Sequence, residues 1–268
     1  MHIPDGYLSP QTCGILAAAV VPFWVHASRK VRSSLSSQQL PLLGLAAAFT
    51  FVVMMFNIPV PDGTTAHATG IALVAILLGP WAALVAASVA LVIQAVIFGD
   101  GGIWALGANI FNMGVVLPLV AYGVFASWSK LGDVLGRTSN QEANPQRTGH
   151  GWGWQIAGAA LAGYISINAA ALVAAVEFGL QPLLFALPDG TPLYCPYGLG
   201  QAIPAMAFAH LVMAGPAEAL VTAAVLAYLT HAHPEILPEH LRRGGPGADI
   251  PPAVQPTQPQ GGKNHVSA

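Results

Sequence analysis

The chain opens on Met1-His2-Ile3-Pro4-Asp5-Gly6, which offers a chelating set of atoms before any apolar run begins. A free Met1 amine, the main-chain nitrogen of His2 and the His2 imidazole can close two fused rings around one ion, the first five-membered and the second six-membered. Three nitrogens then lie in one plane, and a fourth ligand completes a square-planar site, the geometry suited to Ni(II) or Cu(II). His67 is the candidate for that corner. A His after an initiator Met is ordinarily part of an untethered terminus, but this one is followed by stiffening residues. Pro4 fixes its own φ and pushes Ile3 towards extended backbone, and Asp5-Gly6 is a turn dipeptide.

Other residues invite chemistry less strongly. Asn109 and Asn112 are three apart and share one helical face. His210 and Glu218 fall inside an apolar run, where ionisable groups are functional by default. Eight residues separate them, which puts them two turns apart and makes a shared ion unexpected. His210 is a candidate for orienting the metal ligands, and Glu218 for stabilising the interior. His231 and His233 resemble a small metal clip at the far end of that run. Cys13 and Cys195 give no spacing signature.

The elements that must position these groups are membrane spans. Of the 268 residues 54% are hydrophobic and 7% charged, against about a quarter charged in a soluble domain. The nine Lys and Arg form no phosphate-binding stripe, which removes nucleic acid as a partner. Residues 1–10 lack the positive start of a cleavable signal, so Met1 is expected to be retained.

Seven apolar runs follow, at 12–26, 40–56, 68–78, 81–98, 108–128, 155–176 and 202–230. The third reaches only about 17 Å against a hydrocarbon core of about 30 Å, and Gly79-Pro80 breaks the chain after it. With seven spans and the N-terminus outside, Arg29, Lys30, Arg32, Lys130, Arg137, Arg147, Arg242, Arg243 and Lys263 are all cytoplasmic. Merging the third and fourth runs would divide these residues between the two sides, against the positive-inside rule. The expected fold is therefore an all-α membrane protein, a bundle of about seven transmembrane helices with the N-terminus outside and the C-terminus cytoplasmic. The membrane domain covers 1–230, and 231–268 is expected to be a disordered cytoplasmic tail.

This topology brings the terminus and the 57–67 loop to one face. The third span, too short to meet lipid unaided, is expected at the centre of the bundle beneath His67. Thr64 or Thr65 is expected to cap it, leaving His67 in its first turn and pointing outward. His26, His150, His240 and His265 fall on the opposite side. The small residues 82, 83, 86, 87 and 90, and 158, 159, 162 and 163, are read as helix-packing positions.

Met1-His2-Ile3-Pro4-Asp5-Gly6-Tyr7-Leu8, Asp62-Gly63-Thr64-Thr65-Ala66-His67 and Leu106-Gly107-Ala108-Asn109-Ile110-Phe111-Asn112-Met113 together resemble the CbiM/NikM family. These are the substrate-capture (S) components of nickel and cobalt energy-coupling-factor (ECF) transporters. The resemblance implies an inner-membrane capture protein that binds Ni2+ or Co2+ as transported substrate through Met1, His2 and His67. Asn109 and His210 are placed as possible supports of the ligands. The implied partners are a transmembrane coupling protein and two cytoplasmic ATPase subunits, with a small accessory membrane subunit as a further partner.

The chain has no G-x-x-x-x-G-K-[ST] phosphate loop of its own, in keeping with a transporter subunit that is not an enzyme. Nickel leads because a planar four-nitrogen site suits Ni(II). Cobalt uptake for cobalamin synthesis is the alternative within the family. Outside it stand an intramembrane metalloenzyme, for which no H-E-x-x-H is present, and an adaptor protein whose terminus is merely ordered.

Overall fold

The computed structural model describes residues 2–34, 40–60, 64–140, 151–234, 237–238 and 241. Among these, seven helical rods run in chain order. They are α1 (Pro10–Ser34), α2 (Leu40–Met54), α3 (Ile71–Leu78), α4 (Pro80–Phe98), α5 (106–140), α6 (Trp152–Leu184) and α7 (Leu199–Ala232). Five of them are long and apolar enough to cross a membrane, while α2 and α3 are shorter. A small hairpin joins α2 to α3, with β1 (Ile58–Val60) antiparallel to β2 (Thr64–Ala66) and Ile58 facing Ala66.

The break at Gly79-Pro80 is a true corner. Gly79 has φ 85°, a conformation that favours glycine, and Pro80 opens α4 at a position where its missing N–H is not needed. α3 and α4 thus form a helical hairpin. α3 packs against α4, α5, α6 and α7, and every residue from Ile71 to Ile76 is buried. The short helix is central, as its length requires.

The small residues serve packing inside the bundle. Ala82, Ala83, Ala86, Ala87 and Ala90 are buried together, and a Cβ on Gly158 would lie 2.3 Å from the Trp128 ring. Gly107 lets α5 cross α1 closely, since a Cβ there would lie 2.6 Å from Ala17 Cα.

Three π-helical stretches interrupt the rods, at Gln94–Phe98, Ile110–Val116 and His210–Ala214. Such widened turns leave the backbone ladder locally irregular and re-aim side chains. Gln94, Asn112 and His210 all sit in them.

Two expectations need correction. Thr64 and Thr65 stand in β2, α3 begins only at Ile71, and His67 precedes the helix on the connecting segment. Within the expected tail, Leu237 and Leu241 are buried against Leu73, Ile76, Phe125 and Leu226, so the packed structure continues beyond 230. The remainder of 231–268, apart from 231–234 and 238, lies outside the described residues, as do Met1 and His150.

Candidate metal centre

Folding makes the opening residues part of the core. Ile3 is fully buried, and Asn109 grips its peptide groups from both directions: Ile3 N donates to Asn109 Oδ1 at 2.8 Å and Asn109 Nδ2 donates to Ile3 O at 3.1 Å. Gly102 N reaches the same carbonyl at 2.8 Å. The Asp5 carboxylate accepts from Ile103 N, Trp104 N and Ala105 N at 2.9–3.2 Å, immediately before α5 begins. A carboxylate there satisfies helix-start donors and opposes the positive end of the helix dipole. Gly102 must be glycine, because a Cβ would sit 2.1 Å from Asp5 Oδ1. Further along, Ser9 N donates to Gln181 Oε1 at 2.9 Å, while Ser9 Oγ accepts from Thr12 N and caps α1.

This docking brings the His2 ring against the His67 ring, with centroids 4.8 Å apart and planes inclined by 21°. Each ring has one nitrogen committed. His2 Nε2 donates to Gln94 Oε1 at 3.2 Å, which leaves the lone pair on Nδ1, the nitrogen that closes a six-membered ring with the His2 main chain. His67 Nδ1 donates to Ala68 O at 3.0 Å, so Nε2 carries the lone pair. Burial drives the His2 imidazole down to about 4, with Asp100 pulling weakly the other way, and drives His67 well below the ordinary histidine range. Both rings are therefore neutral, the form that binds metal.

α3 is capped from across the bundle. Glu218 on α7 is fully buried; one carboxylate oxygen accepts from Thr69 N and, at 3.0 Å, from Gly70 N. The other accepts from Thr69 Oγ1 at 3.1 Å and Ala72 N at 3.3 Å. The segment that begins two residues after His67 is thereby tied to α7.

His210 donates from Nδ1 to Met206 O at 2.8 Å, its buried Nε2 has no hydrogen-bond partner among the described residues, and it acts electrostatically on His67. Asn112 Nδ2 donates to Glu177 Oε2 at 2.8 Å, a contact separate from the His pair. His231 is exposed at the other end of α7, about 30 Å from His210 by helix rise, with Nδ1 donating to Ala227 O. The His26 ring lies against Trp81 near the basic end of α1, with centroids 4.3 Å apart and planes tilted by 60°. Cys13 and Cys195 are both free thiols.

Sequence reasoning missed Gln94 and Asp100. The Asp100 carboxylate stands 3.5 Å from His2 Nδ1. Neither position carries a local signal, since each acts on a residue more than ninety positions away. Among the described residues no three His, Cys, Asp or Glu side chains converge on one point.

The family model described as cobalt uptake substrate-specific transmembrane region, CbiM, matches residues 2–236. The fused nickel transport protein NikMN of Rhodobacter capsulatus is 54% identical over 237 residues, which make up 88% of this chain and 64% of that protein. This chain thus spans about two thirds of that relative. The cobalt transport protein CbiM of Acetohalobium arabaticum is 41% identical over 135 residues, 49% of this chain and 53% of that one. A crystal structure of a truncated transition metal transporter superposes with a TM-score of 0.76 at 49% identity, covering 87% of this chain and all of that one.

Proposed function

The chain belongs to the CbiM family of cobalt uptake substrate-specific transmembrane regions, and on that premise we propose that it is the subunit that captures Ni2+ for an ATP-driven importer of the ECF type. The observation that carries this reading is the His2–His67 pair. Two neutral imidazoles stack at 4.8 Å, with Gln94 and the Ala68 carbonyl directing the lone pairs to His2 Nδ1 and His67 Nε2.

In this reading the Met1 amine, the His2 main-chain nitrogen and His2 Nδ1 form the fused chelate and His67 Nε2 closes the plane. Binding strips a proton from the His2 amide and from any ammonium at the terminus, so capture is coupled to proton release. The amidate leaves one net positive charge on the Ni2+ centre. Asn109 positions the peptide that follows His2, and His210 supports His67 from α7.

Arg29, Lys30 and Arg32 near the end of α1, and Lys130 in the second half of α5, stand towards the helix ends remote from His2 and His67. The positive-inside rule then puts the metal centre outside the cell's inner membrane. Energy comes from partners, namely a transmembrane coupling protein, two cytoplasmic ATPases and a small accessory membrane subunit. The fused name of the Rhodobacter relative fits such a division into separable parts. Cobalt is the second reading, favoured by the Acetohalobium relative.

The test is metal binding by three forms of the purified chain: native start, one Gly added before Met1, and His67→Ala. Nickel and cobalt are titrated in parallel in a non-chelating buffer. The extended and His67→Ala forms are expected to lose affinity by orders of magnitude while remaining membrane-inserted. Unchanged affinity in the Gly-extended form would refute the terminal chelate, because only the free amine has moved.

A further inference from the structure

The proposed centre is enclosed, and one carboxylate joins it to solvent. The His2 side chain is 6% exposed and His67 is fully buried, whereas the Asp100 side chain is 31% exposed with Oδ1 3.5 Å from His2 Nδ1. The only other acidic residue described next to the opening segment, Asp5, is committed to the amides of residues 103–105.

Asp100 sits on a tightly built turn. Gly99 at φ 67° and Gly101 at φ 89° flank it, and Asp100 N donates to Gln94 O at 3.0 Å. Gln94, whose side chain orients the His2 ring, thus also anchors the residue that presents the carboxylate. Gly101 lies against His2 and against the Asn109 side chain that holds the next peptide, since a Cβ there would meet Asn109 Nδ2 at 3.2 Å and His2 Cβ at 3.5 Å.

With Nε2–H engaged by Gln94, a carboxylate oxygen faces the lone pair on Nδ1. Two electron-rich atoms so arranged define a place for a cation. A first-row dication forms bonds of about 2.0–2.2 Å to imidazole nitrogen and to carboxylate oxygen, so one ion can touch both atoms across 3.5 Å.

We propose that Asp100 is the first ligand of the incoming divalent cation: its carboxylate takes the ion from solvent and passes it to His2 Nδ1. The step exchanges ligands without redox chemistry. Carboxylate oxygen displaces a water of the hydrated ion, and His2 Nδ1 then takes up a second position. The main-chain nitrogens and His67 Nε2 follow, with loss of the amide proton to solvent. Afterwards the carboxylate remains beside the ion and offsets the single positive charge left after amide deprotonation. This inference rests on the nickel-capture reading of the same centre.

The experiment is stopped-flow binding of Ni2+ to the full chain with its native start, followed by tryptophan fluorescence. Asp100→Asn, Asp100→Glu and, as a control, the exposed acid Asp189→Asn are compared at low and high salt. Loss of a steering and docking charge is expected to slow association about tenfold in Asp100→Asn and to remove most of its salt dependence. The absorption spectrum of the final planar complex should be unchanged, Asp100→Glu should recover most of the rate, and Asp189→Asn should behave as the unsubstituted chain. Association in Asp100→Asn within twofold of the unsubstituted rate would overturn the proposal, as would equal slowing in Asp189→Asn. Either result would leave nickel capture itself standing, whereas failure of the unsubstituted chain to bind Ni2+ would overturn both.

Discussion

Glu218 offers the sharpest test of how the fold holds His67. Four donors converge on its carboxylate, three of them main-chain N–H groups at the start of α3. Glu218→Gln keeps the shape but turns one acceptor into an NH2 group, so two buried donors face a third donor. Each buried donor left unsatisfied costs about 1–3 kcal/mol, and removing the negative charge at a helix N-terminus costs up to about 2 kcal/mol more. The sum is about 4 kcal/mol. At about 2–4 °C per kcal/mol for a chain of this size, the apparent Tm in detergent should fall by about 10 °C. Nickel affinity should fall with it, by at least about tenfold, because the loosened amides begin two residues from His67. Differential scanning fluorimetry and a nickel titration on the same preparation check both. A Glu218→Gln protein that melts and binds like the unsubstituted chain would mean that the Thr69 and Gly70 amides are satisfied elsewhere and that the cap does not hold the ligand.

Two further outcomes follow from the proposed centre. Gln94→Leu removes the acceptor that directs the His2 lone pair to Nδ1, and nickel affinity by titration should drop about 10–100-fold, the usual effect of losing a group that orients a metal ligand. The pH profile should show which protons leave: with the His2 ring held at about 4, protons on the amine and amide compete with the metal between about pH 6 and 8, so affinity rises with pH. A flat profile there would refute the chelate. For the metal-free protein, the folded-state value of His2 is depressed below its unfolded value near 6.5. The unfolded chain therefore binds more protons between about 4 and 6.5, and stability should be lost as pH falls through that window, as pH-dependent melting can measure.

What the sequence made legible has physical causes. The seven runs could be counted because all nine Lys and Arg fall on one side only in that count, and Gly79-Pro80 marked a corner whose φ of 85° does need glycine. His2 and His67 stood out because chelate chemistry and turn chemistry are local. The cap of α3 was misread for the converse reason. Thr64 and Thr65 have the right side chains, but a helix start can be satisfied by any acceptor, and here Glu218 supplies it from 146 or more residues away. Asp5 was read as half of a turn, and its second role as acceptor for residues 103–105 is invisible without the fold. A Gln at the end of an apolar run and an Asp between glycines have no periodicity to betray them. The tail boundary moved because Ile236, Leu237 and Leu241 are scattered among Pro, Glu, His and Arg, too few to signal a core until Leu73 and Leu226 stand opposite the two leucines.

The arrangement also bears on the proposed use of a chain terminus as a ligand. A free N-terminus would have to be ordered when the ion binds, at about 1–2 kcal/mol of backbone entropy per residue. Here that cost falls on folding instead, since Ile3 is buried and held by Asn109 and Gly102, Asp5 is clamped by three amides, and Ser9 is tied to Gln181. The anchors reach α5 and α6, while His67 is tied through Thr69 and Gly70 to α7. The two imidazoles are thus presented by different parts of the bundle, and their separation depends on how α5 and α6 sit against α7. A shift of α7 relative to α5 would draw His67 from His2 without unfolding either segment, which in the proposed importer would open the centre.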